Sequence, residues 1–294
     1  MHTIKTGTKS RLRTALGLLC LSLLLNACTG GHRVSRYSQA HDSAPPQHID
    51  VSQAKDAIPK VEPFSRYGNP STYVVNGRRY STLPSNKGYK ERGIASWYGT
   101  KFHGHRTSSG DDYDMYQMSA AHKTLPLPTY ARVTNLRNGK SVIVKINDRG
   151  PFHDNRLIDL SYAAAARLGI LGKGTGLVEV TAIDPAGYQR NHAKPRIAPS
   201  RPKVAGKTAQ QPPHEPSLYL QLGAFLSRSN AERLESRLNG IELPGELRIS
   251  ESTDDNHQHL YRVRIGPLAN VESADRLTQL LADHGIQSPH VIID

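Results

Sequence analysis

The sequence is poor in the residues that staple a fold or span a membrane. Its 294 residues hold two cysteines, one tryptophan and 6% aromatics. Two cysteines exclude a disulfide framework and any multi-cysteine zinc or iron–sulfur centre. The mean hydropathy of −0.53 excludes a chain made of repeated membrane spans. With only 37% apolar residues, one large core is unlike this chain, and one or two small domains joined by polar segments fit it. Neither a GxSxG elbow nor an HExxH zinc motif occurs. His103, His105 and His153 are the nearest thing to a ligand set, but a His-Gly-His spacing is no zinc signature. No metal and no cofactor are expected.

The net charge of +13 is unevenly placed. Residues 1–87 carry +8 and residues 185–216 carry +5, whereas residues 217–294 carry −4. The excess sits in the segments with least apolar periodicity. Such basic segments are drawn to anionic surfaces such as lipid head groups and wall polymers. No recognition motif accompanies the charge, and no nucleic-acid partner is expected.

Lys5, Lys9, Arg11 and Arg13 precede an apolar run from Ala15 to Leu25 that is too short for a typical span. Leu25-Asn26-Ala27-Cys28 follows, and it resembles the lipobox of bacterial lipoproteins. The resemblance implies cleavage before Cys28, loss of Cys20 with residues 1–27, and acylation of Cys28. Several acyl chains give a stable anchor where one does not. Thr29 after the cysteine implies delivery to an outer membrane, facing the periplasm.

Residues 28–70 are rich in Ser, His, Gln, Pro and Gly and read as a flexible tether. Residues 71–90 read as a hairpin turning at Asn76-Gly77. Strand-like pattern is continuous from Gly93, with a second hairpin around Asn138-Gly139. Ser161 is placed to cap a short helix, Tyr162–Leu168, that stops at Gly169. Leu177–Ile183 reads as a closing strand. Residues 71–184, with a core over 93–184, are thus a mostly β domain. Residues 185–216 contain seven prolines and read as a second linker. Residues 217–294 hold an internal repeat: Gly223, Ala231, Arg233, Leu234 and Leu238 recur 43 residues later as Gly266, Ala274, Arg276, Leu277 and Leu281. Each half reads as strand, glycine turn and amphipathic helix. Two such units predict a small α+β sandwich with helices on one face of a four-stranded sheet.

Several residues of the β domain carry chemistry. Asp148 stands where a strand meets the Arg149-Gly150-Pro151 turn, as an acid or as an acceptor for turn amides. Asp111, with Asp112 and Asp114, is a second carboxylate or part of a solvated acidic loop. His122 is a proton-transfer group or a hydrogen-bonded structural histidine. Trp97, Tyr98 and Tyr113 offer apolar faces to sugar rings, or else pack the core.

The stretches GIASWYG, FHGHRTSSGDDYDM, SAAHKTLPLP, VTNLRNGKSVIVKINDRGPF and RLIDLSYAAAARLG, in that order over about ninety residues, resemble the double-psi β-barrel domain of the rare lipoprotein A family. The resemblance implies a lytic transglycosylase that cuts the β-1,4 bond between N-acetylmuramic acid and N-acetylglucosamine in peptidoglycan. The muramoyl C6 hydroxyl attacks in place of water and leaves a 1,6-anhydro end. It assigns Asp148 as acid and then base, with Asp111 and His122 assisting. The family carries Glu where this chain has Asp111, which shortens the reach by about one methylene. The competing reading is a wall-binding lipoprotein without catalysis.

LYLQLGAFLSRSNAERL and LYRVRIGPLANVESADRL resemble the SPOR domain. That resemblance implies a βαββαβ fold and binding to peptidoglycan strands lacking stem peptides, which accumulate at the division septum. Gln221, Phe225, Tyr261 and Arg264 are the expected contacts. The local charge of −4 suits a neutral or weakly charged glycan better than a polyanion.

Overall fold

The computed structural model describes residues 42–47, 49–51, 53–193, 215–253, 257–287 and 289–294. The leader, Cys28 and most of the proline-rich linker lie outside the described residues. A two-stranded ribbon, β1 (Thr72–Val75) and β2 (Arg78–Ser81), comes first. Its turn is the expected Asn76-Gly77, both at positive φ, as a tight hairpin requires. Six strands then close a barrel: β3 (Lys90–Tyr98), β4 (Ser119–His122), β5 (Thr129–Asn135), β6 (Ser141–Asp148), β7 (Arg156–Ser161) and β8 (Gly176–Ala182). Their order around the barrel is β3-β7-β4-β6-β5-β8. The β3/β7 and β4/β6 pairs are parallel and the others antiparallel. This is the double-psi barrel that the resemblance implies.

Inward alternation fills the barrel with Ala120, Val133, Val144, Ile146, Ile158 and Leu160, all fully buried. Helix α1 (Tyr162–Leu168) covers one end of it. Ser161 Oγ accepts from Ala164 N at its start, and Gly169 takes the left-handed conformation at its end.

The segment read as a tether has its last part held on the barrel. Val51, Ala54 and Ala57 pack on the core. Ala57 N donates to Ile143 O at 3.0 Å, and Arg167 binds Ala54 O and Asp56. Residues 65–69 are tied to the loop before β5: Ser65 N donates to Leu127 O, and the Asn69 side chain exchanges bonds with Leu127 N and O. Leu127 and Asn69 thus make up for ladder bonds that a loop lacks. The proline-rich linker begins as helix α2 (Pro185–Ala193).

The C-terminal module has the order β10 (Glu246–Thr253), β11 (His259–Leu268), β9 (Leu218–Phe225), β12 (His290–Ile293), antiparallel throughout. Helices α3 (Arg228–Ser236) and α4 (Val271–Asp283) cover one face. Leu218, Leu220, Val263, Ile265, Leu277 and Leu281 form the core between sheet and helices. Asn270 Oδ1 caps α4 by accepting from Ser273 N at 2.8 Å.

The module is docked on the barrel. Ile94 and Leu177 of the barrel are buried in the module's core. Arg156 grips Asp275 of α4 through two bonds of 3.0 and 2.7 Å, and Asn155 Nδ2 donates to Asp275 Oδ1 and Thr278 Oγ1.

Candidate functional site

Four residues on four barrel strands fall into one cross-strand row. Ser96 on β3 is registered with Asp159 on β7, Asp159 with Ala121 on β4, and Ala121 with Asp148 on β6. Residues in register share a face of the sheet. Two carboxylates therefore look out from the same face on either side of one alanine. Two strand spacings put their backbones about 10 Å apart.

Asp148 is held as an acceptor. Its Oδ1 receives Ser108 N at 2.8 Å, Ser108 Oγ at 2.6 Å and Arg149 N at 2.7 Å. Arg149 anchors the surroundings. Its Nε donates to Gly68 O, its Nη1 to the carbonyls of His122 and Leu125, and its Nη2 to Asn69 Oδ1. Gly68 is at φ +78, and a Cβ there would stand 2.6 Å from Ser108 O. Only glycine lets the 65–69 segment close over the loop that holds Asp148.

Asp159 was not among the residues singled out from the sequence. It accepts from Ser96 Oγ. Burial raises its carboxyl to about 6, against the pull of Ser96 and of the Arg156 and Lys123 charges. The residue as a whole is half-buried. It is a carboxyl that keeps its proton in mildly acidic conditions. The signal was there: Asp is disfavoured in strands, and this one sits between Ile158 and Leu160, both fully buried. Gly150, at φ +141, leaves the row open, since a Cβ there would lie 3.8 Å from Ala121 Cβ and 4.0 Å from Asp159 Oδ2.

The residues expected to act with Asp148 are distributed differently. Asp111 binds Lys145 Nζ at 3.1 Å and Asn147 Nδ2 at 3.0 Å. A bulge at Asn147 registers Lys145 with Ser119 and Asp148 with Ala121, so Lys145 and Asp148 share a face, and Asp111 meets β6 there through Lys145 and Asn147. Burial works against its charge, but the bonds from Asn147 and Lys145 outweigh it and hold the carboxyl below its ordinary value. What Asp111 does reach is the 107–111 turn, which it pins to β6, and Ser108 in that turn holds Asp148. His122 is 2% exposed. Its Nδ1 accepts from Thr124 N and Leu125 N at 3.2 and 3.1 Å, and Nε2 meets Tyr89 Oη at 2.9 Å. Burial, helped by the Arg149 and Lys123 charges, lowers its pKa to about 3. It is a neutral residue that holds a turn.

Of the aromatics Trp97, Tyr98 and Tyr113, the two tyrosines lie within the fold and Trp97 is half-buried. Tyr98 and Tyr113 stack at 4.1 Å, both buried, and Trp97 meets Tyr162 edge-on. On the module, Gln221 and Arg264 are paired and share the face away from the helices, with Arg264 Nε donating to Gln221 Oε1. Phe225 and Tyr261 are registered with each other on the helix side and pack on the core. The reason is a bulge: Gln221 pairs Arg264 but Gly223 pairs Val263, so Leu222 is the extra residue and the alternation flips. By register the open face carries Arg248, Arg262 and Arg264 with Tyr219, Gln221 and His290. Two of its three arginines are paired with acids, Arg248 with Glu246 and Arg264 with Asp294.

A closed double-psi barrel with a carboxylate pair across one strand, joined to a four-stranded α+β module, defines a class of two-domain barrel proteins. Residues 90–180 match the family described as lytic transglycolase, and residues 215–292 match the SPOR domain. A Pseudomonas aeruginosa protein named endolytic peptidoglycan transglycosylase RlpA is 38% identical over 297 residues, covering 87% of this chain and 86% of its own. A Vibrio cholerae protein of the same name is 50% identical over 167 residues, covering 56% of this chain and 62% of its own. The crystal structure of the RlpA SPOR domain from Pseudomonas aeruginosa is 31% identical and covers 26% of this chain and 96% of that one, with a TM-score of 0.24. The chain belongs to the rare lipoprotein A, or RlpA, family.

Proposed function

We propose that this protein is an endolytic peptidoglycan transglycosylase whose reaction centre is the Asp148–Ala121–Asp159 row. Membership of the family supports the activity. The single observation that carries the site is the placing of two unlike carboxyls in register across β4.

The division of labour follows from their environments. Glycosidic cleavage needs a proton for the leaving oxygen and a negative group for the positive charge that develops at the anomeric carbon. Asp159, raised to about 6 by burial, suits the proton donor that the sequence reading assigned to Asp148. Asp148, fixed by three donors, suits the charge-stabilising partner. Asp159 protonates the bridging oxygen as the bond from muramoyl C1 breaks. The C6 hydroxyl of the same residue then forms the new bond to C1 and returns its proton to Asp159. Asp111 and His122 act as positioning residues, through the 107–111 turn and the loop after β4.

The preferred substrate in this reading is a glycan strand without stem peptides. The open face of the SPOR module holds it, through Gln221, Arg264 and their neighbours. Lipid attached to Cys28 anchors the protein in the cell envelope, at the periplasmic side of the outer membrane, and the SPOR module enriches it at the division septum. The test is to incubate the protein with purified stem-peptide-free strands and analyse the fragments by mass spectrometry. Anhydro-ended fragments from the native protein, and none from Asp148→Asn or Asp159→Asn, support the reading. Reducing muramic acid ends would make it a hydrolase. Binding without any fragments would make it a wall-binding protein.

A further inference from the structure

With Tyr98 and Tyr113 buried in the core, the sugar platform has to be sought among the exposed aromatics, and two of these flank the carboxylate row. Phe152 is 37% exposed and follows the Gly150-Pro151 turn. The point that a Cβ on Gly150 would occupy lies 4.0 Å from Phe152 Cε2 and 4.0 Å from Asp159 Oδ2. The ring edge is therefore within about 8 Å of the Asp159 carboxyl. At the other end, Tyr67 is 64% exposed. Its Cδ2 lies 3.8 Å from the Cβ position of Gly110, and the adjacent Gly68 abuts Ser108, the residue that donates twice to Asp148.

Both rings stand on built supports. Phe152 packs edge-on against Tyr73 at 6.3 Å and tilted against Tyr80 at 5.5 Å, and those two tyrosines stack on each other at 5.3 Å. The ribbon of β1 and β2 thus acts as a buttress, fixed by Tyr73 Oη donating to Lys123 O at 2.7 Å. Tyr67 is carried on the strap whose Ser65, Gly68 and Asn69 bind Ser109, Arg149 and Leu127. A mere loop aromatic has no such framework.

We propose that Phe152 and Tyr67 are the sugar-stacking platforms on either side of the scissile bond, each taking the apolar face of one N-acetyl sugar of the glycan strand. Aromatic faces bind sugar C–H groups while leaving the hydroxyls to water. Two platforms straddling Asp159 and Asp148 fix the strand across the row and set the place of the cut within it. Cleavage inside a strand needs sugars held on both sides. The proposal rests on the glycan reading above, and its test separates the two.

The experiment uses the full chain with Phe152→Trp or Tyr67→Trp as an emission reporter, titrated with purified stem-peptide-free strands. Saturable quenching with a blue shift at both reporters, absent in the native protein with Trp97 alone, is the expected result. A strand held only by the SPOR module leaves both reporters unchanged, and that outcome overturns the proposal. Reporter shifts without any cleavage by the native protein uphold the platforms and refute the catalytic reading instead. In turnover, Phe152→Ala and Tyr67→Ala are each expected to raise KM roughly tenfold with kcat within about twofold, and Phe152→Tyr to restore KM. Unchanged KM in both alanine variants, with thermal unfolding like the native protein, overturns it.

Discussion

His122 is expected to govern stability, with a signature that a proton-transfer role would not produce. Replacing it by alanine leaves the amides of Thr124 and Leu125 without the ring nitrogen that accepts them at 3.2 and 3.1 Å. An orphaned buried donor costs about 1–3 kcal/mol, so the variant should lose about 2–6 kcal/mol. The pH dependence is more specific. The folded-state pKa is lowered to about 3 from 6.5 by burial first, and then by Arg149 and Lys123. The unfolded chain therefore binds a proton that the folded chain refuses, and stability is lost as pH falls from 6.5 toward 3. The slope is about 1.4 kcal/mol per pH unit, so about 2 kcal/mol of stability disappears by pH 5. Urea unfolding of the native protein and His122→Ala at pH 7 and pH 5 measures it. The gap between the two should narrow at pH 5 by about 2 kcal/mol. Turnover per folded molecule at low temperature should remain within a few-fold. A variant as stable as the native protein at both pH values, yet inactive while folded, would refute the structural role.

Three further outcomes follow from the same contacts. Asp159→Asn should abolish strand cleavage, by at least about 100-fold, and yet stabilise the fold at pH 7 by up to about 3 kcal/mol. The reason is that a carboxyl raised to about 6 is kept charged there at a cost. The sign runs opposite to that of His122: the Asp159 contribution to stability falls as pH rises from about 4 to about 6, and activity falls above about 6 as its proton is lost. Equal stability of variant and native protein at pH 7 would remove the case for Asp159. Asp148→Ala should lower kcat by at least about 100-fold with little change in KM, because it removes the carboxylate that faces the developing charge and no sugar-binding group. A rise in KM alone would place Asp148 in binding. Asp275→Ala should release the C-terminal module from the barrel, since Arg156, 9% exposed at its side chain, loses both of its bonds to the carboxylate. Breaking such a pair costs about 3 kcal/mol. Small-angle scattering should then report a larger radius of gyration, and an unchanged profile would show that Ile94 and Leu177 suffice.

Much of the architecture is local and was legible as such. Asn76-Gly77 and Asn138-Gly139 name their turns because few residues adopt the required positive φ. Ser161 and Gly169 bound α1 through one capping hydroxyl and one left-handed residue. The strand alternation and the 43-residue repeat give the two domains, because burial on one face imposes a period that composition cannot hide. The order of motifs gives the family. What the sequence left open is which side of each strand faces what. Asp111 and Asp148 look like partners until the fold gives the first to Lys145 and Asn147 and the second to Ser108 and Arg149. Gln221 and Phe225 look like neighbours until the bulge at Leu222 turns the later residue to the helix side. Asp159 is an ordinary strand residue until β4 sets Ala121 between it and Asp148. Tyr98 and Tyr113 look like part of a sugar wall until packing takes them inward, while Tyr67, in a stretch that reads as tether, stays exposed on a strap that Arg149 holds at Gly68. By itself the sequence determined the turns, caps, domains and family, all set by short-range sterics and periodicity. Only the tertiary structure decided which carboxyl burial raises and which aromatics stay exposed, because burial and cross-strand register join residues far apart in the chain.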